Sequence, residues 1–111
     1  MRQRMDANAA AYKAVVEEAA IEFLRRSGAR LTPLDNGLMP LDCDVTPFDN
    51  SQSKKEGVSR TYKGEDGYAP MAAYLGQEGY CLELELRAGS QHCQKGTPEF
   101  LQRVLGRARQ L

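Results

Sequence analysis

Between residues 68 and 87 two apolar runs flank Gly76-Gln77-Glu78-Gly79, and no other feature of the chain restricts its fold as strongly. Glycine reaches the backbone conformations a tight turn needs, so the pattern predicts a strand over 68–75, a turn over 76–79 and an antiparallel return strand over 80–87. In the return strand Leu82, Leu84 and Leu86 alternate with Glu83, Glu85 and Arg87. Successive strand side chains point to opposite faces, so the leucines are expected on a buried side and the glutamates on a solvated one.

A hairpin is marginal without something packed on its apolar side, and the flanking sequence supplies candidates. Residues 9–27 repeat Tyr12, Val15, Val16, Ala19, Ala20, Phe23 and Leu24 at three- and four-residue steps, which predicts an amphipathic helix that Gly28 stops. Pro33, Asp35, Asn36 and Gly37 mark a turn, and residues 38–46 read as a strand. Within it Leu41, Cys43 and Val45 alternate with Asp42 and Asp44, placing both carboxylates on one face with Cα atoms about 7 Å apart. Pro47 cannot donate to a ladder, so pairing should falter just beyond Asp44. Residues 49–67 are polar and without apolar period, and read as a long loop.

Thr97 is the expected N-cap of a second helix, with Pro98 as its first residue and Glu99 in its first turn. Its stripe of Phe100, Leu101, Val104, Leu105, Ala108 and Leu111 is still in phase at the last residue, so the chain is expected to end inside a fold. The predicted class is therefore α+β: an N-terminal helix and turn over 1–37, then a three-stranded, mostly antiparallel sheet and a C-terminal helix over 38–111.

Composition adds exclusions. Fifteen basic and fifteen acidic residues give zero net charge, so the whole-chain field does not announce nucleic acid. No apolar run approaches the roughly 20 residues that cross a bilayer, and Met1-Arg2-Gln3-Arg4-Met5-Asp6 leads into an Ala-rich stretch rather than a secretory segment, so a cytoplasmic protein is expected. Cys43, Cys81 and Cys93 are isolated and odd in number, which points to small buried thiols rather than disulfides or zinc. No dinucleotide fingerprint, phosphate loop or Ser-His-Asp style set is present.

Three segments in order carry a resemblance: Leu41-Asp42-Cys43-Asp44-Val45-Thr46, then Tyr62-Lys63-Gly64-Glu65-Asp66-Gly67-Tyr68, then Leu86-Arg87-Ala88-Gly89-Ser90-Gln91-His92. Together they resemble DDE-type insertion-sequence transposases over roughly residues 38–111. The resemblance implies the first half of a ribonuclease-H-like domain, in which three antiparallel strands precede a helix. It also implies a DNA-cutting and DNA-joining parent enzyme that uses magnesium or manganese. In that family the first strand delivers the first catalytic aspartate with a threonine close behind, which maps onto Asp44 and Thr46, and Asp42 is the less favoured metal ligand. The family's second aspartate and its glutamate would lie past Leu111, so the chain alone is expected to be inactive and to hold no metal. Two-metal phosphodiester chemistry needs several converging carboxylates, because magnesium demands octahedral oxygen ligation.

Without that context, carboxylates on an exposed strand face are ordinary solvated side chains. The implied partner is DNA, at the bacterial nucleoid, and Lys54, Lys55, Arg60 and Lys63 with Tyr62 suit phosphate contacts. Asp49, Glu56, Glu65 and Asp66 cancel those charges within the same segment, so a solvated loop competes with a DNA surface. Arg103 and Arg107 give the last helix a basic side that suits either DNA or water. His92 lacks a ligand-spaced partner and reads as a local hydrogen-bonded loop residue. The other class of function is a small non-catalytic binding or assembly module derived from a transposase. In either case an unpaired strand edge and partly uncovered helices favour a homodimer.

Overall fold

A computed structural model of the chain describes residues 8–111, so the basic start at residues 1–6 lies outside the described residues. The elements in order are α1 (Ala9–Arg26), β1 (Leu41–Val45), β2 (Phe48–Asp49), β3 (Ser59–Arg60), β4 (Asp66–Tyr68), β5 (Met71–Leu75), β6 (Tyr80–Glu85) and α2 (Thr97–Ala108). Among the described residues the fold is α+β, with two helices and two three-stranded antiparallel sheets, ordered β1-β5-β6 and β2-β4-β3. No helix among the described residues is long and apolar enough to cross a membrane.

The larger sheet is the predicted hairpin plus the Asp42/Asp44 strand. The smaller sheet corrects the expected loop over 49–67, whose strands of two or three residues are too short to show a period. The two sheets are joined through paired proline interruptions. After Val45 pairs with Met71, the Thr46 N–H donates to the Pro70 carbonyl at 3.0 Å, and pairing resumes one step beyond Pro47 with Phe48 opposite Tyr68. Pro47 and Pro70 lack the N–H a continuous ladder would use, so the predicted strand over 68–75 divides into β4 and β5.

Both helices lie on one face of the larger sheet. Ile21 of α1, Met71, Ala73 and Leu75 of β5, Leu82 of β6, and Phe100 and Val104 of α2 form the core, with Leu24, Leu31, Leu41 and Val45 at its margin. Only Ile21 of α1 is fully buried, and it shares its inward side with Glu17 and Leu24. Val15, Val16 and Phe23, expected to face the core, point mostly to solvent. The α2 cap is also corrected. Gly96 holds the N-cap position in the left-handed region, whereas the Thr97 hydroxyl donates to the Cys93 carbonyl and accepts from Arg87.

The main correction concerns β6. Ala73 pairs with Glu83 but Tyr74 pairs with Cys81, so a bulge leaves Leu82 unpaired and turns both Leu82 and Glu83 toward the helices. One inserted residue reverses the phase of everything after it. Leu84 and Leu86, expected inside, are 59% and 67% exposed, while Glu83, Glu85 and Arg87 face α2. The buried carboxylate of Glu83 is compensated by Arg107 and by Arg103 at 3.7 Å. Arg107 also pairs with Glu17 at 2.6 Å, tying α1 to α2. The guanidinium carbons of Arg87 and Arg103 each lie 5.8 Å from the Phe100 ring centre, so the arginines pack as well as pair.

Candidate functional site

Alternation in β1 sends Leu41 and Val45 to the helix side and Asp42 and Asp44 to the other face, where their cross-strand partners are Tyr74 and Ala72. No helix among the described residues covers that face. Both aspartates are exposed, as the sequence predicts. Among the described residues β1 is an edge strand, paired only with β5. Among the described residues no three His, Cys, Asp or Glu side chains gather as a metal group. Two carboxylates on one open face do not by themselves fit a magnesium pair, which needs more oxygen ligands from several directions.

At the C-terminal end of β1 lies a hollow of about 440 Å³. Its lining brings together pieces of all three segments singled out in the sequence, Val45, Tyr62 and the stretch from Gly89 to His92, with Thr61 and Cys93 beside them. The Asp44 carboxylate is not among the lining groups, since it leaves the strand on the opposite side from Val45.

Local chemistry explains how the loops close around this hollow. Gly89 lies where a Cβ would run into the backbone oxygens of Ser59 and Gly67, so only glycine allows the third segment to press against the small sheet. The Ser90 N–H donates to the Ser59 hydroxyl at 2.8 Å, and the Ala69 N–H to the Arg87 carbonyl at 2.9 Å, fixing the loop at both ends. Arg60 pairs with Asp66 at 3.2 Å and donates to the Gly64 carbonyl. His92 accepts the Gln94 N–H on Nδ1 at 3.2 Å, the local loop role expected of it, and also lines the hollow. Thr61 is 3% exposed, and its hydroxyl has no hydrogen-bond partner among the described residues. Nothing in the sequence distinguished that threonine.

The predicted basic contacts divide. Lys54, Lys55, Arg60 and Lys63 are exposed on the segments around the small sheet. Arg107 is not a free surface cation: its side chain is 14% exposed, and Glu17 and Glu83 hold it. Arg103 is also turned to the sheet, toward Glu83 and Glu85. Arg107 thus belongs to the α2–β6 interface, where β6 presents glutamates in place of the expected leucines, while Arg103 keeps 40% of its side chain in solvent. The cysteines are corrected likewise: all three are exposed, though partial burial still raises the thiols of Cys43 and Cys81 above their ordinary range. Compared with known family models, curated proteins and solved structures, the chain matches none.

Proposed function

We propose that residues 38–111 form the strand-strand-strand-helix part of a ribonuclease-H-like domain of a DNA transposase, with Asp44 as one carboxylate ligand of a divalent-metal site completed by residues outside this chain. The observation that supports the reading is the placement of Asp44 on the open face of β1, the first strand of an antiparallel β1-β5-β6 meander followed by α2. Convergence of the three motif segments on one hollow beside that strand's end supports it further.

Asp42 is the second carboxylate on that face, and Lys54, Lys55, Arg60 and Lys63 are the proposed backbone contacts to DNA. Lacking enough converging ligands, the isolated chain binds DNA without cutting it. A supercoiled plasmid incubated with the pure chain and magnesium should stay intact, and filter binding should weaken with salt, less steeply in the Lys54→Ala, Lys55→Ala, Lys63→Ala variant. Magnesium-dependent nicking that Asp44→Asn abolishes would overturn the incomplete site. Salt-independent or undetectable DNA binding would remove DNA as the partner.

One observation favours the second reading, a non-catalytic assembly module. Leu84, Leu86, Val15, Val16 and Phe23 leave apolar surface in solvent, as a chain that dimerises would. Light scattering at high concentration separates the two, since a strictly monomeric chain that binds DNA has no use for such a module.

A further inference from the structure

We propose that the hollow at the end of β1 receives the base of an unpaired nucleotide, an inference that rests on the nucleic-acid reading above and adds a specific subsite to it. Four features of the hollow fit a base. Its size, about 440 Å³, falls within the range of roughly 300–1,000 Å³ usual for small-ligand sites. Val45, Ala69 and Gly89 contribute apolar wall, which suits a planar ring.

The third feature is Tyr62, a lining residue that is 72% exposed. A large ring left in water beside an apolar hollow is the platform on which an unstacked base gains contact, and every base has a face to offer it. The fourth is the polar inventory. Arg60, paired with Asp66 at 3.2 Å, is the lining group proposed above to meet the backbone of the strand, so the base itself falls to the remaining lining groups. Those groups offer hydrogen bonds to a base edge: the Ser90 hydroxyl, the His92 ring nitrogen Nε2, and the Thr61 hydroxyl.

Thr61 gives the strongest argument. Its backbone N–H is satisfied by the Glu65 carbonyl at 2.8 Å, so it is the side chain alone that lacks a partner among the described residues. A buried hydroxyl left unpaired costs free energy, and the polar edge of a base entering from the hollow relieves it after a small side-chain rotation. A base paired and stacked within a duplex is not free to enter a hollow, so the ligand is a single-stranded or extruded nucleotide.

The test uses the whole chain and a short DNA strand with one central 2-aminopurine, read by fluorescence. Comparison arms are the same strand with an abasic centre, the paired duplex, an RNA strand of the same sequence, and the free 2-aminopurine nucleoside. The single strand should bind with a change in 2-aminopurine emission, at least about tenfold tighter than its abasic form, a margin set by the usual strength of base stacking on aromatic side chains. Tyr62→Ala should remove that margin. Thr61→Val should reduce it while raising the melting temperature, because the substitution deletes an unpaired buried hydroxyl; a residue serving only the fold would not move the two readouts in opposite directions. Equal binding of the strand and its abasic form, unaffected by Tyr62→Ala, overturns the base subsite and leaves the nucleic-acid reading standing. Nucleoside binding as tight as the strand overturns a strand as the ligand. No binding to any nucleic acid overturns both. Equal affinity for the RNA strand supports a subsite that reads the base and not the sugar.

Discussion

Arg107 and Glu83 form an ion pair across the α2–β6 interface in which the glutamate side chain is 0% exposed and the arginine 14%. Without Arg107, the fully buried Glu83 carboxylate keeps only Arg103, at 3.7 Å, to compensate it. Arg107→Ala should therefore destabilise the chain by about 3–5 kcal/mol in urea unfolding, the usual cost of breaking a buried pair. Replacing both, with Glu83→Leu and Arg107→Met, should recover most of that loss, because apolar residues of similar volume need no compensation. Additive losses in the double variant would mean that the two side chains do not act together.

The bulge at Leu82 makes opposite demands on neighbouring leucines. Leu82→Ala empties part of the core and should cost about 2–5 kcal/mol, whereas Leu84→Lys, on the open face, should stay within about 0.5 kcal/mol. A straight β6 without the bulge puts Leu82 and Leu84 on the same face and makes both substitutions costly, so thermal melts of the two variants decide the phase.

Acid should weaken the same interface. Partial burial raises the Glu85 carboxyl, but hydrogen bonds and charge from Arg87 and Arg103 outweigh it and hold the group below its ordinary value of 4.5. A depressed carboxylate contributes stability that is fully present above its unfolded pKa and fades as pH falls through the folded one. Stability should thus be flat above about pH 5.5 and decline from roughly pH 4.5 downward, with a shallower decline in Glu85→Gln. An unchanged slope in Glu85→Gln would assign the acid sensitivity elsewhere.

The close approach of the 89–93 loop to the small sheet depends on Gly89. A methyl group there meets the Ser59 and Gly67 oxygens, both backbone and unable to swing aside. Gly89→Ala should lower stability by about 1–3 kcal/mol and open the hollow, which hydrogen exchange would report as faster exchange at Ser90.

The order of elements was legible in the sequence because each long element carries a clear signal: the glycine-bounded hairpin, the Asp42/Asp44 alternation, and the Pro98-led helix. The face of β6 was not. Leu82-Glu83-Leu84-Glu85-Leu86 alternates without a break, and period-2 reasoning cannot see a bulge that flips the strand halfway. A signal did exist in the arginines: Arg87, Arg103 and Arg107 are matched in the fold to Glu83, Glu85 and Glu17, and such matching across elements is invisible until they are packed. Likewise the helical stripe of α1 was read from its apolar spacing, but the side that packs is set by Ile21 and by the pairing of Glu17 with Arg107. At the candidate site, Asp44 and the three segments were readable as motifs, whereas the unpartnered Thr61 hydroxyl emerges only when the small sheet closes over it.

The most direct test of Asp44 as a metal ligand is manganese titration of the ¹⁵N-labelled chain, observing which amide signals broaden. The open-face reading predicts early broadening centred on Asp44, Asp42 and the cross-strand Ala72, lost in Asp44→Asn. Broadening centred instead on the polar loop around Asp49, or unchanged by Asp44→Asn, would contradict it.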